Sequence, residues 1–323
     1  MIKTYLETIN EKLDLLMSKD ERVVLIGEDI GVYGGCFGVT RGLYEKYGGS
    51  RVIDTPMCEQ SIVGVSIGAA MNGLKPITEI MFMDFVTLIY DQLMNHASIF
   101  SYLSNGEISV PLVIRVPAGG GRGYGATHSK TMTASLMQIP GIKIVAPARP
   151  SDAGLLLESA MKDSNPVIFI EHKLLYGTKE EIEKETVPIG KAKVLKEGKD
   201  IVLISYSKSV FDCLEAAKKL EEEEGIQSTV IDLRTIKPLD IETIKQTVDQ
   251  VGKVVVVEEG FGNCGVAAEI ITEINENCFY SLTSAPRRVT SFDIPISCAF
   301  SYESAELPSV ERIMQTVKEV MHE

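Results

Sequence analysis

Three segments of the chain carry side chains whose types and spacing could support catalysis. Glu59 lies in RVIDTPMCEQ (51–60), where Thr55 is the expected N-cap and Pro56 the expected first residue of a helix, so Glu59 is expected in the first helical turn. A carboxylate there can complement the positive end of the helix dipole, or it can take part in proton transfer. These ten residues alone leave both roles open.

The other two candidate side chains are Phe85 and His128. Phe85 closes EIMFMDF (79–85), a strand-to-helix junction at the sheet edge where ligands of α/β proteins bind. Its ring could stack on a planar ligand, or it could be an ordinary core residue. His128 follows the glycine-rich AGGGRGYGAT (118–127), which lacks the GK[ST] of a P-loop. A histidine on such a loop can transfer or polarise protons, and a mobile surface loop is the alternative.

The elements that must position these residues alternate between short apolar runs and helix-period segments, a pattern typical of a parallel sheet covered by helices. In the first half we predict helices at 59–72, 84–104 and 149–162. The predicted strands are RVVLIGED (22–29), RVID (51–54), PITEIMF (76–82), PLVIRVP (111–117), IKIVAP (142–147) and PVIFIEH (166–172).

A polar, charge-dense segment without periodicity, YGTKEEIEKETVP (176–188), indicates a linker. A second alternating series follows it, with predicted strands DIVLISYS (200–207), STVIDL (228–233), KVVVVEE (253–259) and RRVTSF (287–292). We therefore predict an α/β domain over 1–176, a linker over 177–188 and a second α/β domain over 189–323.

Composition excludes several classes of function. The net charge of −13 argues against binding nucleic acid, which requires clustered Lys and Arg. The six cysteines form no CxxC pair and have no spacing that joins them to the four histidines as zinc ligands. No apolar run reaches membrane-spanning length, and the amphipathic N-terminal segment lacks the apolar core of a secretory signal. We expect a cytoplasmic protein with reduced thiols.

Seven stretches, taken together, resemble one family over nearly the whole chain: GEDIGVYGGCFGVTRGL (27–43), DTPMCEQSIVG (54–64), GAAMNGLKPITEIMFMDF (68–85), GATHSK (125–130), PGIKIVAPARPSDA (140–153), DSNPVIFIEHKLLY (163–176) and VIDLRTIKPLD (230–240). The family is the β subunit of the thiamine-diphosphate-dependent decarboxylase component of 2-oxo acid dehydrogenase complexes. The resemblance implies a pyrimidine-binding domain, with helices on both faces of a parallel sheet, followed by a transketolase-type C-terminal α/β domain.

The resemblance also implies roles for individual residues. Glu59 matches the carboxylic acid that hydrogen-bonds the aminopyrimidine ring of thiamine diphosphate, and Phe85 matches the aromatic residue that stacks on that ring. His128 matches the histidine that assists acyl transfer to lipoyl groups. Glu28 and Met57 fall where the family lines the cofactor pocket.

A potassium site and a division of labour between subunits are implied in the same way. The expected potassium ligands are Leu112, Ala160, Met161, Asp163 and Asn165. The chain lacks the GDG motif and downstream Asn pair with which thiamine enzymes hold Mg²⁺ and diphosphate. We therefore expect an α subunit to supply that half of the site in an α2β2 heterotetramer, and a lipoyl acyltransferase component to accept the acyl group.

The substrate and the degree of activity stay open at this point. Pyruvate is the expected 2-oxo acid, and the alternatives are acetoin cleavage, a scaffolding subunit without catalysis, and one half of a transketolase-like enzyme. Thr127 and Lys130 replace the glutamines that usually flank the His-Ser pair in the family, at the place where substrate and lipoyl arm would meet. Intact Glu59, Phe85 and His128 favour an active enzyme.

Overall fold

The computed structural model describes residues 1–183 and 185–323, so position 184 of the predicted linker lies outside the described residues. The chain forms two compact units. The first contains Met1–Ala118 and Ser135–Ile189, and the second contains Gly119–Ala134 and Gly190–Glu323.

The helices and strands follow one another in the alternation that the sequence predicts. The strands are β1 Ile2–Thr4, β2 Val23–Gly27, β3 Val52–Asp54, β4 Lys75–Glu79, β5 Val113–Ala118, β6 Lys143–Val145, β7 Val167–His172, β8 Lys179–Glu181, β9 Lys193–Lys196, β10 Ile201–Ser205, β11 Ser228–Asp232, β12 Thr235–Lys237, β13 Val254–Phe261 and β14 Arg287–Ser291. The α-helices are α1 Tyr5–Lys19, α2 Leu43–Tyr47, α3 Glu59–Met71, α4 Tyr90–Gln92, α5 Phe100–Leu103, α6 Thr133–Met137, α7 Pro150–Ala160, α8 Ser209–Glu224, α9 Ile241–Val251, α10 Val266–Cys278, α11 Phe300–Glu306 and α12 Val310–His322.

The sheet of the first unit is parallel, in the order β6-β7-β5-β4-β2-β3. Strands β2, β5 and β7 are buried along their whole length, as expected when both faces of a parallel sheet are covered. The register pairs Gly27 of β2 with Glu79 of β4, and Glu79 with Arg115 of β5. The carboxyl ends of the central strands therefore bring charged side chains to one edge of the sheet.

The second unit contains a sheet in the order β14-β13-β10-β11-β9. Its strands are parallel except β9, which pairs antiparallel with β11. Its apolar core includes Leu203, Val255, Leu220 and Val317, which are fully buried. These residues come from β10, β13, α8 and α12, so the sheet and two of its helices share one core.

Every strand predicted in the first half is present, whereas two helix predictions there need correction. The predicted helix over 84–104 is wrong as a continuous element. It consists of a 3-10 helix Met83–Ile89, then α4, a π-helical turn Leu93–Ala97, and α5. The cause lies in 85–90, where β-branched and aromatic residues follow one another and disfavour a regular α-helix.

The second correction concerns the start of α3. Thr55 was expected as the N-cap and Pro56 as the first helical residue, but the helix begins at Glu59 and its N-cap is Cys58. Thr55 instead donates its backbone N–H to the carbonyl of Gly27 at 3.0 Å, which keeps it attached to the end of β2. Glu59 is still in the first helical turn, as predicted.

The two compact units of the structure differ from the predicted domains and linker at two places. Residues 119–134 belong with the second unit, because their backbone is hydrogen-bonded to side chains of that unit. Strand β8 lies inside the predicted linker and pairs antiparallel with β1. A polar edge strand has little apolar periodicity, so the sequence pattern does not distinguish it from a linker.

Candidate functional site

Two carboxylates meet at the carboxyl edge of the first unit's sheet. Glu28 directly follows β2, Glu59 opens α3, and each side chain is 7 % exposed. Burial raises the pKa of Glu28 to about 7, and the negative charges of Glu59, Asp29 and Glu79 add to the effect. Within the described residues Oε1 of Glu28 is buried without a hydrogen-bond partner. Glu28 can therefore hold and release a proton near neutral pH.

The residues before Glu59 form an exposed approach to this pair. Met57 is 81 % exposed, and Cys58 lies at the N-cap with its Sγ 3.1 Å from Oγ of Ser61. That contact lowers the pKa of the Cys58 thiol. A cavity of about 290 Å³ lies between this segment, β2 and α3, with mainly apolar walls. The N-terminal turn of α3 adds a positive dipole end beside Glu59.

Phe85 belongs to an aromatic cluster at the same end of the first unit. It is half-buried in the 3-10 helix that follows β4, and its ring packs edge-on against Phe82 with centroids 6.1 Å apart. Phe82 in turn contacts Phe37 at 5.6 Å, and the ammonium of Lys173 lies 5.1 Å from its ring centre. Phe85 is thus supported by edge-to-face ring contacts while part of its own surface stays accessible.

A buried ionic network lies next to Glu28 in the sheet. Arg115 donates from Nε and Nη2 to the two carboxylate oxygens of Glu171 at 2.6 and 2.7 Å, and from Nη1 to Glu79. Tyr176 donates to Glu171 at 2.8 Å. Burial raises the pKa of Glu79 despite the opposing effect of Arg115. Two carboxylates on one guanidinium leave negative charge beside Glu28, which favours its protonated form.

His128 lies in the second unit, at the end of the glycine-rich loop. It is half-buried, its backbone N–H donates to the carbonyl of Gly125 at 3.3 Å, and its Nδ1 is 2.9 Å from Oγ1 of Thr127. Thr127, a departure from the family pattern, therefore acts as a hydrogen-bond partner that fixes the histidine ring. The adjacent Lys130 donates from Nζ to the carbonyl of Ala126.

Three of the expected potassium ligands, Ala160, Asp163 and Asn165, share the turn between α7 and β7; Met161 follows α7, and Leu112 precedes β5. The backbone N–H of Asp163 donates to the carbonyl of Ala160 at 3.1 Å, and Oδ1 of Asp163 accepts from the N–H of Asn165 at 3.0 Å. The carbonyl of Leu112 accepts from Val167 at 2.9 Å. The other oxygen of Asp163 is ion-paired with Lys143.

Sequence reasoning missed the groups that support the predicted residues. They are Arg115 with its two carboxylates, and two glutamates, Glu259 and Glu303, that bind the glycine-rich loop. No local signal marks them, because charged residues in strands and helices resemble solvated ones until the fold buries them. Thr127 was noted in the sequence as a departure from the family pattern, but its contact with the histidine ring is visible only in the structure.

The part of the chain that the structure describes has neither a cluster of metal ligands nor a membrane-spanning helix. Residues 1–183 and 185–323 contain no group of three or more His, Cys, Asp or Glu side chains that could hold a metal ion. Among the same residues no helix combines the length and the apolar character needed to cross a bilayer.

Comparison with known proteins assigns both units. The family model described as transketolase, pyrimidine binding domain matches residues 3–179, and that of the transketolase C-terminal domain matches 190–313. The chain is 44 % identical over 322 residues to the "Pyruvate dehydrogenase E1 component subunit beta" of Acholeplasma laidlawii, covering 99 % of this chain and 98 % of the relative. The mitochondrial protein of that name from Bos taurus is 40 % identical to this chain. The match covers 99 % of this chain and 90 % of the relative.

Among solved structures, the chain is similar to a protein described as "Split gene transketolase, inactive beta4 tetramer". The TM-score is 0.80 with 21 % identity, and the match covers 98 % of both chains. A second similar structure, a transketolase from Pichia stipitis, has a TM-score of 0.75 at 14 % identity and is covered to 46 %. At these identities the similarity shows a shared transketolase-like fold.

Proposed function

This chain belongs to the family of pyruvate dehydrogenase E1 component β subunits, and we propose that it is the β subunit of an acetyl-transferring pyruvate dehydrogenase. The observation that carries the proposal is 44 % identity over 99 % of the chain and 98 % of the relative. The proposed reaction is oxidative decarboxylation of pyruvate with transfer of the acetyl group to lipoyl-lysine of an acyltransferase component. Its predicted location is the cytoplasm, which suits six cysteines that all carry free thiols.

We propose that Glu59, Glu28 and Phe85 hold the pyrimidine part of thiamine diphosphate, with Met57 lining the approach. The unpaired buried oxygen of Glu28 supports this, because a buried polar atom without a partner is rare unless a ligand uses it. When bound, thiamine diphosphate supplies the nucleophilic carbon and the electron sink that decarboxylation requires. Glu59 orients the ring through its carboxyl group, and Phe85 offers the accessible face of its ring.

Glu28 of this pair has a raised pKa. With a pKa of about 7, it can hold or release a proton near neutral pH. We propose that Glu28 exchanges a proton with the ring that Glu59 binds. His128, fixed by Thr127, is proposed to exchange protons during acyl transfer.

We assign Mg²⁺ and the diphosphate group to the α subunit of an α2β2 heterotetramer. The described residues offer no cluster of metal ligands, and the sequence has no GDG motif. Potassium stays a proposal for this chain: the carbonyls near Asp163 keep a second lone pair, although Lys143 already neutralises that carboxylate. We expect the cation to brace the turn after α7 and to take no part in catalysis.

The proposal is tested by co-expressing the chain with its α subunit. Thiamine diphosphate binding should appear in the complex and be absent from the single chain. Turnover with an artificial electron acceptor should be highest with pyruvate when branched 2-oxo acids and acetoin are compared at equal concentration. Preferential cleavage of acetoin would establish the alternative reaction, and inactivity with all of these substrates would support a scaffolding role.

The role of Glu59 has its own test in the assembled enzyme. Glu59→Gln keeps the size of the side chain and removes the acid, so we expect turnover to fall at least about 100-fold, in line with general acid-base catalysis. Glu107→Gln, the same change at an exposed position, is the matched control. Near-normal turnover of Glu59→Gln in an intact heterotetramer would exclude the proposed role.

A further inference from the structure

Two buried carboxylates hold the backbone of the loop that carries His128, which we define as the glycine loop, residues 119–127. The N–H of Gly120 donates to Oε1 of Glu259 at 2.7 Å, and the N–H of Gly123 donates to Oε2 of Glu303 at 2.8 Å. Glu259 lies in β13, and Glu303 lies in α11 and is fully buried. Hydrogen bonds from a backbone amide to a carboxylate are among the stronger ones in proteins.

Glu259 also closes the neck of this loop. Its Oε1 accepts a second hydrogen bond, from Oγ1 of Thr131 at 3.2 Å. Gly120 and Thr131 lie on either side of His128 in the sequence, and both are attached to one carboxylate oxygen. The backbone bond from Gly119 to Lys130, 3.4 Å long, lies at the same neck.

The glycines are needed because the segment 298–307 lies against the loop. A Cβ on Gly120 would be 2.8 Å from Cδ1 of Leu307, and one on Gly123 would be 3.1 Å from the carbonyl oxygen of Cys298. Gly125 has φ +72° and would place a Cβ 3.2 Å from Cβ of Cys298. The glycines therefore stand where the loop backbone packs closely against segment 298–307 of the same unit.

The arrangement at Glu303 costs stability. Its Oε1 is buried without a hydrogen-bond partner in the described part of the chain, while Oε2 is bound by Gly123. Burying a half-satisfied carboxylate is unfavourable, and an apolar side chain could pack there without that cost. A buried group of this kind is typical of functional sites, where placement of a segment matters more than stability.

We propose that Glu259 and Glu303 are positioning residues for His128. Glu259 closes the neck of the glycine loop and Glu303 anchors its tip, so that the histidine is presented in one place for acyl transfer. Neither is a catalytic residue, because both act through the loop backbone. The inference rests on the proposed role of His128, whereas the anchoring of the loop can be measured without any reaction.

The first measurement is hydrogen–deuterium exchange of 119–127 in the full-length chain. In Glu303→Ala the amide of Gly123 loses its acceptor, and we expect exchange in this segment to become at least about tenfold faster. Glu303→Gln should stay close to wild type, because its amide oxygen can still accept the bond. Glu306→Gln is the matched control, since this buried glutamate of the same helix accepts from Ser297. Unchanged exchange in Glu303→Ala would overturn the anchoring.

The second measurement uses the assembled enzyme and separates two activities of each variant. Glu303→Ala should lose at least about ten times more lipoyl acylation than decarboxylation measured with an artificial acceptor, and Glu303→Gln should restore the ratio. Equal losses in both activities would overturn the link to His128. If the wild-type enzyme fails to acylate lipoyl while the exchange result holds, the proposed function is refuted and the anchoring stands.

A second variant keeps the test valid if Glu303→Ala does not fold. Thr131→Val removes the hydroxyl that donates to Glu259 and conserves the shape of the side chain. It should accelerate exchange in the same loop, by a smaller factor, because the Gly120 bond to Glu259 is retained. An unchanged exchange rate together with an unchanged activity ratio would contradict the closing of the neck by Glu259.

Discussion

Replacing Glu28 by glutamine should stabilise the chain at high pH while it impairs the enzyme. The carboxyl group is buried at the sheet edge, and negative charges at Glu59, Asp29 and Glu79 oppose its ionisation. Glutamine has nearly the same shape and stays neutral at every pH. The substitution therefore removes the cost of burying this charge without creating a cavity.

The magnitude follows from the pKa in the two states. Folding raises the pKa of Glu28 from its ordinary value of 4.5 to about 7, so the folded protein binds the proton more tightly. Because the folded pKa is the higher one, stability falls as pH rises between these values and is level above them. At about 1.4 kcal/mol for each pH unit, the raised pKa of Glu28 lowers the free energy of unfolding by about 3 kcal/mol at pH 8.5 and by about 2 kcal/mol at pH 6, where folding requires proton uptake.

The assay is urea unfolding of the full-length chain and of Glu28→Gln at pH 6 and pH 8.5. Both values avoid the isoelectric point near 5.0, where low net charge promotes precipitation. We expect the stabilisation by glutamine to be about 1 kcal/mol larger at pH 8.5. Any constant effect of the amide cancels in that difference. An equal effect at both pH values, or a larger one at pH 6, would refute the reasoning, and Glu107→Gln is the exposed control.

Two further predictions concern charged groups elsewhere in the first unit. Arg115→Met leaves two buried carboxylates without their guanidinium, so unfolding in urea should show a loss of about 3–5 kcal/mol, and a loss below about 1 kcal/mol would contradict the charge assignment. Lys143→Met frees the carboxylate of Asp163, so the melting temperature should depend more strongly on potassium than in wild type, measured by calorimetry in potassium and choline buffers. Equal potassium dependence in both proteins would exclude a cation at that turn.

The alternation of elements was predictable because burial on both faces forces continuous apolar runs on parallel strands. Strand β2 consists of such a run, β7 begins with one, and β5 is apolar except for Arg115, so the sequence predicts all three. The placement of Glu59 in a first helical turn could likewise be predicted from the neighbouring residues. The division of the helical stretch after Phe82 into 3-10, α and π segments could not be predicted in this way. It depends on how β-branched and aromatic side chains pack in the folded protein.

The supporting charges could not be predicted because they depend on strand order. Glu79, Arg115 and Glu171 lie far apart in the chain and become neighbours only because β4, β5 and β7 are adjacent in the sheet. The same applies to the glycine loop, whose anchor Glu303 is 180 residues from Gly123. A glycine-rich sequence predicts a loop, but the groups that hold it can be found only once the fold is known.

The strand order also explains why two neighbouring carboxylates are suited to different tasks. Glu59 begins a helix, whereas Glu28 follows a strand end whose neighbour in the sheet is the acidic Glu79. The negative charge of Glu79 therefore adds to burial and to the charges of Glu59 and Asp29, which raise the pKa of Glu28. Such a difference in environment makes one carboxyl group a proton reservoir at neutral pH and leaves the other free to bind a ligand. Replacing Glu79 by glutamine should weaken this asymmetry, because it removes a charge that raises the pKa of Glu28.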